Sequence, residues 1–233
     1  MISSSLPMFP IGPDGLEEHA EMLFRKVFRT DWEQPGFGVV VLPEGTGSKA
    51  LREVMVRLKE LLSREFDGRW GERLEYLSMG RFDQQTTTKL HLDGAPETSL
   101  LMLGYEATSV RSSLHIADYS RCARDLGLTP AEFLQEHNPM FPAGAKLLEP
   151  YTTHLEDWHE DRSRLVLINN SSTAPGDARF SPGVMHGATI RNPDPQASRI
   201  INSTMIAPRS LAGDDATAKQ NVFLRTDEIS GVI

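Results

Sequence analysis

The chain has one cysteine, Cys122, in 233 residues. No intrachain disulfide and no cysteine-pair metal knuckle can form from it, which fits a reducing compartment. There is no run of Lys and Arg, and the formal net charge is −8. A chain this acidic repels a phosphate backbone, so nucleic acid is not the expected partner. No apolar run reaches the length of a membrane span. The opening residues, MISSSLPMFPIGPDG, lack the basic stretch followed by an apolar one that marks a secretion signal. The expectation is a soluble, cytoplasmic protein with no membrane partner.

Hydrophobic residues make up 39% and charged residues 24%, enough for a folded core. No composition shift marks a second domain, and no repeat or low-complexity tract occurs. The N-terminal stretch with Pro7, Pro10 and Pro13 reads as an arm. Gly15–Phe28 and Ser48–Phe66 carry helical apolar spacing, the second with Leu51, Val54, Val56, Leu58, Leu61 and Leu62 on one face. Gly36–Leu42 is a β-branched run, hence a strand. From Leu74 onward short apolar runs recur between turn residues: 74–79, 87–92, 99–105, 113–117, 165–168, 184–190 and 200–206. That rhythm is an antiparallel barrel or sandwich. A helix interrupts it at Pro130–His137, with Thr129 as N-cap and Glu132 closing a capping box. A polar stretch, Tyr151–Arg164, interrupts it again. The expected organisation is one domain, 1–233. An N-terminal arm and helices (1–70) pack on a β core (71–210) with a helical or loop insertion near 118–164, and 211–233 forms a tail.

Within the strand-like run Thr87–Leu92 and just beyond it stand His91 and Asp93. Residues i and i+2 of a strand share a face, roughly 7 Å apart at Cα, so an imidazole and a carboxylate there can share a cation. Alone, H-x-D also fits a polar strand face ending in an Asp-Gly turn. The run Val184–Ile190 adds His186, and the next β-like run begins at Arg199. Two His and one carboxylate form the facial triad of non-haem Fe(II) sites, which leaves coordination positions open. A buried Arg can bind a carboxylate through two parallel hydrogen bonds.

The order strand-H-x-D, then G-x-x-H-G-A (Gly183–Ala188), then Arg resembles the Fe(II)/2-oxoglutarate-dependent dioxygenases, and within them the phytanoyl-CoA-hydroxylase-like branch. The resemblance covers roughly residues 74–208. It implies a mainly β fold with flanking helices, a double-stranded β-helix or jelly-roll barrel. It implies His91, Asp93 and His186 as iron ligands and Arg199 on the distal carboxylate of 2-oxoglutarate. The reaction implied is oxidation of a small-molecule substrate by O₂, with release of succinate and CO₂. One position departs: where many members carry Ser or Thr two residues after the Arg, this chain has Ile201.

Other residues are weighed against plainer roles. Lys89 shares the strand phase of His91 and would point toward the site if the strand is regular; a bend would place its ammonium in water. Tyr105 ends the next strand and either contacts the cosubstrate or closes the core. His154 and His159, in HLEDWHEDR, are five apart and read as a solvated charged segment rather than a metal motif. Arg191 precedes Asn192-Pro193 and reads as a loop residue. His115 reads as a core or edge histidine, and Cys122 carries no partner motif. Two other functional classes stay open at this point: a cupin-like metal enzyme that uses no 2-oxo acid, and a non-catalytic jelly-roll binding protein.

Overall fold

The computed structural model describes residues 8–10, 15–156, 161–212 and 216–229. Among these residues ten strands form two sheets. They are β1 (Met8–Pro10), β2 (Phe37–Val41), β3 (Leu74–Asp83), β4 (Thr88–His91), β5 (Leu100–Tyr105), β6 (Ser112–Ala117), β7 (Thr152–Leu155), β8 (Arg164–Asn169), β9 (Met185–Ile190) and β10 (Ile200–Pro208). One sheet runs β1-β2-β8-β5-β10-β3 and the other β4-β9-β6-β7. Among the described residues every strand pairing is antiparallel except β1 with β2. Flanking them are α1 (Leu16–Val27), α2 (Ser48–Trp70), α3 (Tyr119–Asp125), α4 (Pro130–Glu136), α5 (Pro142–Leu148) and α6 (Ala216–Arg225).

Alternation along the strands sorts the core into layers. On β8, Leu165 and Leu167 join the cluster with α1 and α2, while Val166 and Ile168 face the second sheet. On β5, Leu100 and Met102 go one way, and Leu101, Leu103 and Tyr105 the other. The inter-sheet layer is completed by Leu114 and Ile116 of β6, Ala188 of β9, and Ile201 and Met205 of β10. Burying one such aliphatic side chain contributes about 1.5–3 kcal/mol. A third layer, with Tyr119, Cys122, Phe133, Leu148 and Met185, lies between the outer face of the four-stranded sheet and α3–α5. The order is therefore helices, six-stranded sheet, four-stranded sheet, helices.

Local signals explain several boundaries. α2 stops at Gly71, whose φ of +69° closes the last turn through its N–H on the Asp67 carbonyl. α4 starts with the expected capping box between Thr129 and Glu132. Gly104 in β5 faces α2, where a Cβ would lie 2.6 Å from the Met55 sulfur. Part of the N-terminal arm is a strand, since Met8–Pro10 pair with Val39–Val41. The stretch 151–164 begins with an edge strand, β7, paired to β6. The tail contains α6, whose Phe223 is buried in the α1–α2 layer. His159 lies outside the described residues. Among the described residues, no helix is long and apolar enough to cross a membrane.

Candidate metal centre

His91 ends β4 and faces His186 of β9 in register. Their ring centroids are 4.3 Å apart. Asp93 follows where β4 turns away, and its Oδ1 lies 3.3 Å from His91 Nε2. One ligand atom from each of the three lies within 4.8 Å of the others, the one group of this kind among the described residues. The H-x-D tripeptide and the distant histidine thus meet.

Each of the three candidate ligands has its own environment. The Lys89 carbonyl lies 2.7 Å from His91 Nδ1 and can only accept, so that nitrogen carries the proton and Nε2 presents the lone pair. In the metal-free protein the hydrogen bond to Asp93 raises the His91 pKa, against the opposing effect of burial. Burial acts first on Asp93 and would raise its pKa. The His91 hydrogen bond and the two imidazoles outweigh it and hold the carboxyl below its usual range. His186 is only 7% exposed. Burial, then the charge of His91, pushes it down to about 4, so it is a neutral imidazole at ordinary pH. Its Nδ1 is buried with no hydrogen-bond partner. A buried neutral imidazole beside an ionised carboxylate and a second imidazole fits a bound cation. The His91 and Asp93 side chains stay about one-third exposed (32% and 38%), so the cluster is open to solvent on one side.

Arg199 sits just before β10 on the face that carries Ile201 and Met205, and it is 2% exposed. Its backbone N–H donates to Asp83 Oδ1 at 2.9 Å. The guanidinium crosses the inter-sheet layer, with Nε donating to Ser112 Oγ at 3.1 Å and Nη1 to Gln84 Oε1 at 2.6 Å. The Tyr105 ring lies 5.0 Å from its Cζ. Burial raises the Tyr105 pKa. Arg199 opposes that through its charge and a hydrogen bond, and the charge of Asp93 adds to it. Tyr105 therefore senses both ends of the site. With Ile201 apolar, the hydroxyls beside the guanidinium come from Ser112 and Tyr105.

Lys89 is not brought in. Thr88 pairs with Ala188 and His91 with His186, three residues against two, so β4 holds a bulge between them. The extra residue breaks the phase that would aim Lys89 inward. Its ammonium is exposed and donates to the Met140 carbonyl at 2.7 Å. Arg191 is also outside, paired with Glu156 at the surface. The Cys122 thiol is pushed up to about 11 by burial and is no nucleophile at neutral pH.

Asn170, which no motif singles out, holds the backbone at Asp93. Its Oδ1 accepts from the Asp93 N–H and its Nδ2 donates to the Asp93 carbonyl, both at 3.0 Å. The Nδ2 also reaches Ser99 Oγ at 3.1 Å. The one sequence signal is an apolar strand ending in Asn169-Asn170 rather than a glycine turn.

No protein-family model matches the chain, and no curated protein matches it. Among solved structures it is similar to an iron and alpha-ketoglutarate-dependent endoperoxidase, NvfI, at 10% identity and TM-score 0.37, covering 78% of this chain and 80% of that one. A variant of the same endoperoxidase gives 11% identity and TM-score 0.36 over 81% and 83%. Resemblances this distant establish neither fold nor activity for this chain. Neither singles out the phytanoyl-CoA-hydroxylase-like branch.

Proposed function

We propose that this chain is an Fe(II)- and 2-oxoglutarate-dependent oxygenase that oxidises a small molecule. The observation that carries the reading is the convergence of His91, Asp93 and His186, with the His186 Nδ1 unpartnered in a buried position. We read the strands β3–β10 as a jelly roll in a single domain. Their orders β3-β10-β5-β8 and β4-β9-β6-β7 support it, because sequential strands alternate between facing sheets except at β6 and β7, which pair within one sheet.

His91, Asp93 and His186 would hold the iron, leaving positions for a chelating oxo acid and O₂. When bound, iron and 2-oxoglutarate supply the oxidising chemistry, with succinate and CO₂ as products. The chain's own contributions follow from its geometry. The Lys89 carbonyl fixes the His91 tautomer. Burial keeps His186 unprotonated. Asn170 holds Asp93 in place. Arg199, with Tyr105 beside it, takes the distal carboxylate of the oxo acid as a charge-assisted pair in a poorly solvated layer. Ser112, which Arg199 touches, and Ile116, which pairs with His186, lie four residues apart on one face of β6, about 13 Å along the strand. The apolar residues between the sheets keep water from the reacting region.

A second reading keeps the metal and drops the oxo acid, since Gln84 and Ser112 already engage Arg199. Turnover separates the two. Iron-loaded protein given 2-oxoglutarate and O₂ should release succinate above the protein-free rate, more so in the presence of substrate, and Asp93→Ala should release none. Stoichiometric iron with no succinate across a metabolite screen would favour the second reading.

A further inference from the structure

Another pair of imidazoles lies on the outer face of the four-stranded sheet. His115 of β6 and His154 of the edge strand β7 are directly opposite in register. Their Nδ1 atoms are 2.8 Å apart and their ring centroids 4.8 Å. His115 Nε2 lies 2.8 Å from the Thr189 hydroxyl of β9. In the tautomer whose Nε2–H is donated to Thr189, His115 Nδ1 is bare and points at its partner. Two nitrogens bound to one zinc ion at about 2.0–2.1 Å sit roughly 2.9–3.4 Å apart for cis or tetrahedral angles. The observed pair needs to open by only a few tenths of an ångström. Glu156 lies two residues past His154, close enough that its charge acts on His115. It now accepts from Arg191 at 2.7 Å. The pair opens onto a cleft of about 480 Å³ lined also by Lys89, Met140, Phe141 and Lys146, which leaves room for further ligands.

We propose that His115 and His154 form a second cation site, for a borderline divalent ion such as Zn²⁺, with Glu156 rotating in as its carboxylate. The site is independent of the oxygenase reading, because it shares no residue with His91, Asp93 and His186.

Equilibrium dialysis of the full chain against Zn²⁺ tests it. Wild-type protein should bind two ions, His154→Ala one, His186→Ala one, and the double variant none. His154 is exposed on an edge strand, so its replacement leaves the fold intact. Thr189→Val should weaken the second ion by roughly tenfold through loss of the ring's anchor. A wild-type stoichiometry that His154→Ala leaves unchanged, whether one or two, overturns the proposal. If His154→Ala loses an ion while His186→Ala loses none, this site stands and the triad fails. Should His186→Ala not fold, the comparison of His154→Ala with wild type decides alone.

Discussion

At the scale of single residues, the two histidines of the triad are unequal. His91 is held above the usual imidazole range, first by its hydrogen bond to Asp93, while His186 is pushed down to about 4 by burial. A cation must therefore displace a proton from His91 but not from His186. Metal affinity should be flat above the His91 pKa and fall by about tenfold per pH unit below it. A Mn²⁺ titration followed by calorimetry over a pH series reads this slope. A loss of two decades per unit would mean that both imidazoles take up protons, contrary to the burial of His186. Asn170→Ala removes the donor and acceptor that hold the Asp93 backbone, leaving partly buried groups unpaired at about 1–3 kcal/mol. It should also weaken metal binding by roughly ten- to a hundredfold, measured by denaturant unfolding and by the same titration. Unchanged values on both counts would remove Asn170 from the site. The ligand residue types and the H-x-D spacing were legible in the sequence because strand periodicity is local. The Asn170 clamp was not, because it joins residues 77 apart in the chain.

At the scale of elements, the informative case is β4. Regular alternation puts Lys89 on the same face as His91, and the bulge between Thr88 and His91 undoes it. Lys89→Ala should leave 2-oxoglutarate affinity within about twofold of wild type, since its ammonium reaches only the exposed Met140 carbonyl. A tenfold loss, read by titrating the cosubstrate into iron-loaded protein, would return Lys89 to the pocket. One inserted residue leaves no trace in composition or apolar pattern, so the bulge could not be read in advance. The long periodic helices and buried strands could: α1, α2, β5, β8 and β10 fall within a few residues of their expected bounds. β7 escaped because Thr152–Leu155 is a short, largely polar edge strand with no alternation to detect. The capping box of α4 was legible, since its geometry lies within four residues.

At the scale of the whole molecule, the recurring apolar runs signalled a β core with N-terminal helices packed on it, and among the described residues the structure has two sheets of six and four strands with helices outside both. Which strands pair was not legible, because β3 joins β10 across more than half the chain and His91 of β4 joins His186 of β9 from far along it. That pairing is what sets Arg199 and the triad in one inter-sheet layer. The central claim is that this layer holds a metal at one end and a carboxylate-binding Arg at the other. The direct measurement is anaerobic absorption spectroscopy of the Fe(II)-loaded chain on adding 2-oxoglutarate. A visible metal-to-ligand charge-transfer band should appear in wild type and be absent in His186→Ala. In Arg199→Ala it should appear only at roughly ten- to a hundredfold higher 2-oxoglutarate, the loss of a charge-assisted pair of about 1.5–3 kcal/mol. Iron bound normally with no band at any concentration, or a band whose midpoint Arg199→Ala does not move, would contradict the account.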